Sequence, residues 1–282
     1  MSGKKLRIFS GAFILLVIMA GWAVGDAGGQ GTKAAAPAPA SPDPLKIIQD
    51  MTTFLQSQGQ LSFRAETTDD QVYLGGKKLQ YSLDLEIALR RPDKLRVNGQ
   101  GDLQNQEFFY DGMTMTLYHQ DQNVYAIAPM PPTIDAAMAK AHQDFGLQVA
   151  LADLLCSNAY ELMTRHITHA LYVGRHMIRG VPCHHLAFDQ DNMQWQIWIE
   201  AGEKPLPRKL LITQKKLLGS PQWTAYLTDW NLTPQLADSR FTFTPPSGSH
   251  QIEFLPPAKI AKAKPKPKTK SKSRSKKQGE QP

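Results

Sequence analysis

Cysteine is scarce: the 282 residues contain two, Cys156 and Cys183. At most one disulfide can form. The alternatives are a Cys156–Cys183 bridge, which an oxidising compartment would favour, or two separately buried thiols. Sequence alone does not bring their Cα atoms within bonding reach. No cysteine stands near the small residues Ala23, Gly25 and Ala27, so a lipid-modified N-terminus is not expected. Catalytic patterns are missing as well. There is no nucleophile elbow, no glycine-rich phosphate loop and no His-Glu-x-x-His, so no enzyme activity is expected and no cofactor is implied. No repeat of about 20–50 residues occurs, which removes propellers and solenoids.

Acidic residues all but vanish at the C-terminal end. Ten of the 32 Lys and Arg lie between Lys259 and Lys277, and Glu280 is the one acid after Ile260. Outside that tail 22 basic residues face 24 acidic ones, and setting aside Lys4, Lys5 and Arg7 leaves 19. The net charge of +7 is therefore a property of the tail. Residues 257–282 alternate Lys with Ala, Pro, Thr and Ser, a composition that stays extended and disordered.

Residues 1–25 read as a secretory signal. Lys4, Lys5 and Arg7 precede an apolar stretch from Ile8 to about Val24, followed by small residues. The alternative is an uncleaved inner-membrane anchor, for which the stretch is marginal in length and interrupted by Ser10, Gly11 and Gly21. Either way the chain is exported, to the periplasm. Behind a signal, the basic tail suits an anionic membrane surface rather than nucleic acid, each lysine contributing about 1 kcal/mol there; the plainer alternative is a solubilising tail with no partner. Residues 26–43 form a small-residue and proline linker.

Residues 44–256 carry the folded pattern. Asp43 and Pro44 are a cap and first-turn pair, and Leu45, Ile48, Met51, Phe54 and Leu55 recur at helical spacing up to Gly59. Strands follow. In 79–89 the odd positions Leu79, Tyr81, Leu83, Leu85, Ile87 and Leu89 are apolar and the even positions mostly polar, so one strand face meets an apolar interior. Pro92 stops that strand. Further strands are expected at 94–98, 106–110, 113–119 and 124–128, with Asp111-Gly112 as a two-residue hairpin turn. Helices are expected over 133–145, 147–156 and 160–163. Strands return at 170–179, 183–188, 193–200, 206–215, 222–232 and 240–244. About 11–12 short antiparallel strands in two meanders make one sheet that curls. The fold class is mainly β with helices (α+β): an incompletely closed antiparallel β-barrel with a helical lid or plug.

On the inward faces the alternation places Phe63, Tyr81, Leu83, Leu85, Ile87, Val97, Met113, Met115, Leu117, Trp195, Ile197 and Ile199. These line an apolar ligand cavity or pack as ordinary core; methionine adapts to irregular ligands. Five histidines, His166, His169, His176, His184 and His185, gather near Cys183. His184 and His185 are strand neighbours and point to opposite faces, so they are read as strand histidines and not as a metal site.

Three segments resemble the lipoprotein-carrier superfamily of LolA and LolB. They are Arg91-Pro92 with Leu95-Arg96-Val97, the hairpin Tyr110 to His119, and Arg240-Phe241-Thr242-Phe243-Thr244-Pro245-Pro246-Ser247-Gly248 as a closing strand. YVGRHMIRGVPCHHLAF, WQIWIEAGEKPLPRKLLIT and YLTDW are similar to a family of predicted periplasmic proteins in that superfamily. The resemblance implies a lid held shut by hydrogen bonds from Arg91, although Arg90 is adjacent and Arg91 could equally be a surface residue. It implies a monomeric carrier holding an acyl chain or a lipidated protein. The alternative is an envelope regulator or scaffold that binds a protein partner on the same fold.

Overall fold

The computed structural model describes residues 41–149 and 151–255. The expected signal, the linker up to residue 40 and the basic tail lie outside the described residues. The chain enters through α1 (Pro44–Ser57), whose cap is the expected one: the Asp43 carboxylate accepts the Leu45 N–H at 2.9 Å. Ile48, Met51 and Leu55 share its buried side.

Six strands follow: β1 (Gln60–Val72), β2 (Lys78–Arg90), β3 (Lys94–Gly101), β4 (Asn105–Tyr110), β5 (Thr114–His119) and β6 (Val124–Pro129). Then come α2 (Ile134–Phe145) and the short α3 (Ala159–Thr164). A second meander runs through β7 (His169–Ile178), β8 (Val181–Asp189), β9 (Met193–Glu200), β10 (Pro207–Gln214) and β11 (Gln222–Asn231). The last strand is β12 (His250–Gln251). All form one 12-stranded sheet in the order β12-β6-β5-β4-β3-β2-β1-β11-β10-β9-β8-β7. It is antiparallel except where β12 runs parallel to β6. β12 and β7 end the sheet without meeting, so the barrel is incompletely closed, as the sequence led us to expect.

The sheet is strongly twisted. Arg179, at the β7–β8 turn, forms a two-pronged ion pair with Glu66 on β1, with one N···O distance of 2.9 Å, and its guanidinium stacks 4.6 Å from the Tyr226 ring. β8 lies four strands from β1 in the order, about 19 Å in a flat sheet. An arginine cannot span that gap, so the hairpin tip swings across the outer face.

Register sets which side chains meet. The face bearing Leu61, Phe63, Ala65, Leu85, Ile87 and Leu89 is covered by α1, α2 and the stretch around Leu151, Leu154 and Leu155, all one buried cluster. On β3 this face carries Gly99 and Gly101, opposite Leu85 and Leu83. A Cβ on Gly101 would fall 2.5 Å from the Ser82 carbonyl oxygen. The strands approach closely here because β3 offers no side chain.

Three expected elements differ. Met113 is not in a strand: β4 ends at Tyr110 and β5 starts at Thr114, giving a three-residue connection. The Asp111 carboxylate accepts the N–H groups of Met113 (2.9 Å) and Thr114 (2.7 Å), which folds Met113 into the turn. Residues 147–156 are not an α-helix. Gly146 closes α2 in the left-handed region, and a single 3-10 turn, Ala152–Leu154, follows. Arg240–Thr244 is not a strand either. It is a strap lying on the outer face. Phe241 is fully buried beneath Arg90, and Phe243 sits among Phe109, Tyr118 and Tyr125 at 5.1–5.5 Å. Two phenylalanines two apart point one way in a strap as they would in a strand.

Gly101→Ala is expected to destabilise the fold by about 1–3 kcal/mol, because the obstacle is backbone and cannot rotate away. Gly99→Ala, facing mainly leucine methyls, is expected to cost less. Urea unfolding of the two variants checks the order.

Candidate functional site

The candidate site is the helix-covered face. Its rows run across strands: Phe63, Ile87, Val97, Phe108 and Leu117 on one side, and Ala225, Leu210, Ile197 and Leu186 on the other. Of the residues singled out from sequence, Phe63, Leu85, Ile87, Val97, Met115, Trp195, Ile197 and Ile199 are buried in the cluster that the helices cover. Leu83 and Leu117 are half-buried against it. Tyr81 is half-buried farther along β2, its hydroxyl 2.8 Å from that of Tyr73. Met113 is 72% exposed in its turn and does not belong to the face.

Sequence reasoning missed Trp230, stacked on Phe63 at 4.2 Å, and Phe188, stacked on Trp195 at the same distance. Phe188 shares its strand face with Leu186 and was within reach of the period-two pattern. Trp230 was not, because Asp229 takes a positive φ and the β1–β11 register shifts between Ser62 and Arg64.

The face is covered unevenly. At the end bearing the β2–β3 turn, the cover is bonded to the sheet through backbone: Ile134 N–H, at the start of α2, donates to the Pro92 carbonyl at 2.9 Å, next to the Arg91 N–H to Gly59 O bond (2.8 Å) that extends the β1–β2 ladder. At the other end Leu83, Ile212 and Trp223 are only partly buried. Arg91 points into the helical cover, beside Asp135 and Cys156. Its Nε and Nη2 are buried without a hydrogen-bond partner among the described residues. Asp135 instead accepts the Ser157 N–H at 2.9 Å and pairs with the Ser157 hydroxyl. Arg90 points outward, to Asp238 and the Leu236 carbonyl.

The two cysteines are free and buried, which corrects the disulfide alternative. Cys156 lies beneath the helical cover near Arg91, whereas Cys183 points to the sheet face opposite Leu186 and Phe188. Burial pushes the Cys156 thiol up to about 12, helped by Asp135 and Asp153, and the Cys183 thiol up to about 11.

His184 and His185 do face opposite ways. His184 meets the Tyr172 hydroxyl at 3.1 Å and borders an open groove of about 460 Å³ against Ile47, Asp50 and Phe54 of α1. His185 stacks on Trp198 at 4.1 Å and contacts His176 and Gln196. Burial lowers both imidazoles below 6.5, with Arg175 adding to the effect at His184. Among the described residues, no three His, Cys, Asp or Glu side chains converge as metal ligands.

The site is thus an apolar sheet face under a helical cover that is bonded to it at one end. The family model of the predicted periplasmic proteins designated DUF2092 matches residues 45–255, and the chain belongs to that periplasmic family. Sequence comparison with curated proteins gives no match. Among the described residues no helix is long and apolar enough to cross a membrane. The chain is similar to the Mycobacterium tuberculosis lipoprotein LppX, at 12% identity and TM-score 0.40 over 68% of this chain and 97% of LppX. It is similar to the LolA superfamily protein NE2245 of Nitrosomonas europaea, at 10% identity and TM-score 0.36 over 72% of this chain and 99% of that one. A third similarity is to the MucA/MucB complex of Pseudomonas aeruginosa, at 14% identity and TM-score 0.37 over 72% of this chain and 62% of that one. At such values nothing about ligand or partner transfers.

Two expectations follow. Thiol reagents at neutral pH should leave Cys156 and Cys183 untouched in the native protein and titrate both in denaturant; rapid native labelling, or a missing thiol after unfolding, would contradict the burial. The histidines set a pH slope. Below about 6.5 the unfolded chain takes up protons that folded His184 and His185 resist, so stability is lost as the pH falls through that value. Urea midpoints between neutral pH and about pH 5.5 should show a slope that His184→Gln with His185→Gln flattens.

Proposed function

We propose that this periplasmic protein is a non-enzymatic carrier that shelters an acyl chain, free or attached to a protein, on the helix-covered face of its sheet. The observation that carries the reading is the uneven cover: the apolar face is tied to the helices at one end and left partly bare at Leu83, Ile212 and Trp223 at the other. An acyl chain entering there gains about 0.8 kcal/mol per methylene buried. Phe63, Leu85, Ile87, Val97, Met115, Leu117, Trp195, Ile197 and Ile199 become its lining when the helices shift, and Tyr81 and Leu83 flank the entry.

Arg91 is the gating residue in this reading, by a route other than a latch. Two buried donors without acceptors weaken the closed state by about 1–3 kcal/mol. The cover is thereby kept close to opening.

A second reading is a scaffold that binds a protein partner. It is favoured by β7, a sheet edge on which Leu171, Val173 and Met177 are exposed.

Protein purified from its own envelope should release lipid on extraction, and emptied protein should take up a fluorescent acyl probe. Leu83→Trp should lower probe affinity about tenfold by filling the entry. Arg91→Met should raise unfolding stability by about 1–2 kcal/mol and slow probe uptake; a loss of stability would restore the latch. Consistently empty protein with no probe uptake removes the carrier reading. Partner capture indifferent to Leu83→Trp supports the scaffold.

A further inference from the structure

Two hairpin tips stand side by side at the partly bare end of the sheet. The β1–β2 connection reads Tyr73-Leu74-Gly75-Gly76-Lys77, and the β10–β11 connection reads Lys215-Lys216-Leu217-Leu218-Gly219-Ser220-Pro221. Their strands are neighbours through the β1–β11 pairing. The tips also touch: a Cβ on Gly219 would meet a Val72 methyl at 3.3 Å. Both carry their apolar residues outward. Leu74 is 103% exposed, Leu218 76%, and Leu217 and Tyr73 are also exposed.

Single exposed leucines on a surface are ordinary. Three on two adjoining tips, flanked by Lys77, Lys78, Lys215 and Lys216, are a patch that needs an occupant. Each tip satisfies backbone groups within its own turn. Tyr73 N–H donates to Lys77 O at 2.8 Å, and Ser220 N–H to Leu217 O at 2.9 Å. Such turns enter an apolar medium at lower cost than open loops. Lys78 is paired with Asp70, and Lys215 lies 3.4 Å from Asp189, which leaves the exposed Lys77 and Lys216 facing outward beside the leucines.

We propose that these tips are a membrane-docking device: Leu74, Leu217 and Leu218 enter the interfacial layer of an anionic phospholipid bilayer, and Lys77 and Lys216 meet its headgroups. Protruding leucines with lysines behind them suit a deformable, negatively charged surface. Docking there sets the bare end of the apolar face, with Leu83, Ile212 and Trp223, against lipid. The surface is distinct from the basic tail and from the face that holds cargo, and its test needs no cargo.

The full chain is incubated with vesicles of phosphatidylethanolamine and phosphatidylglycerol, or of phosphatidylcholine alone, and floated. Binding should favour the anionic vesicles. Leu74→Asp with Leu218→Asp should lower partitioning on the order of a hundredfold, and Lys77→Glu with Lys216→Glu about fivefold per lysine. The tail could hold the chain on vesicles by itself, so a second measurement reads the tips. In Leu218→Trp, the fluorescence of the added indole should shift to the blue on vesicles and be quenched by brominated acyl chains. An unquenched indole signal from that variant when bound to vesicles overturns the proposal, whatever the flotation of the aspartate pair. So does capture of these tips by a protein with no vesicle binding. Failure of acyl-probe uptake in vesicle-free solution bears on the carrier reading alone.

Discussion

The pairing of β1 with β11 is the constraint on which the rest depends. Seven residue pairs, from Ser62↔Asn231 to Asp69↔Trp223, join the two meanders into one sheet. Each meander alone would present an apolar face too narrow for the helices to cover, with an unpaired edge down its middle. Once β1 and β11 pair, the faces become continuous, and one layer of helices serves both. The junction is secured on both sides. Within the covered face, Trp230 stacks on Phe63 and its indole N–H donates to the Pro207 carbonyl at 3.2 Å. The buried Thr67 hydroxyl donates to the Leu83 carbonyl at 2.8 Å, so a polar group in the apolar row stays satisfied.

The outer face is finished differently on its two halves. Over β2 to β6 the strap around Phe241 and Phe243 supplies aromatic cover, and Arg96 lies over Phe109 while pairing with Glu107 at 2.6 Å. Over β8 to β11 the cover is a cross-strand ladder. His185 stacks on Trp198, Lys209 sits 4.6 Å from the Trp198 ring and 5.0 Å from that of Tyr226, and Arg179 closes the row. Exposed ion pairs such as Arg64–Glu86 add little, since water and salt screen them. Ring contacts that exclude water contribute more of the cohesion.

This division explains what could be read in advance. The run 79–89 announced β2 because its inner positions meet a continuous apolar face, and Asp43-Pro44 announced α1 because capping is local chemistry. Patterns failed where tertiary context chose between equivalent solutions. The phenylalanines of 240–244 fit a strand or a strap, and the bare aromatic surface of β4 to β6 selected the strap. Leu147 to Cys156 has helical spacing, but Leu151 takes a positive φ and the segment follows the core surface as loop and 3-10 turn. Met113 left the face because Asp111 could bond two backbone N–H groups at once. The Arg-Pro bend was legible as a position, yet nothing in sequence says that the buried guanidinium would keep idle donors.

The carrier proposed above requires the helical cover to lift from the sheet, and magnitudes indicate what could lift it. α1 connects to β1 through Gln58-Gly59, and it buries Ile48, Met51 and Leu55 without contributing to any strand pairing. Exposing three such side chains costs about 5–9 kcal/mol. A cargo that takes their place recovers about 0.8 kcal/mol per methylene, so roughly 6–11 methylenes balance the undocking. The idle donors of Arg91 move the balance toward the lower figure. On the carrier reading proposed above, short acids would fall below that balance and long acyl chains would exceed it. A carrier of that kind would discriminate by chain length rather than by headgroup, because its cover is held to the sheet mainly by apolar side chains.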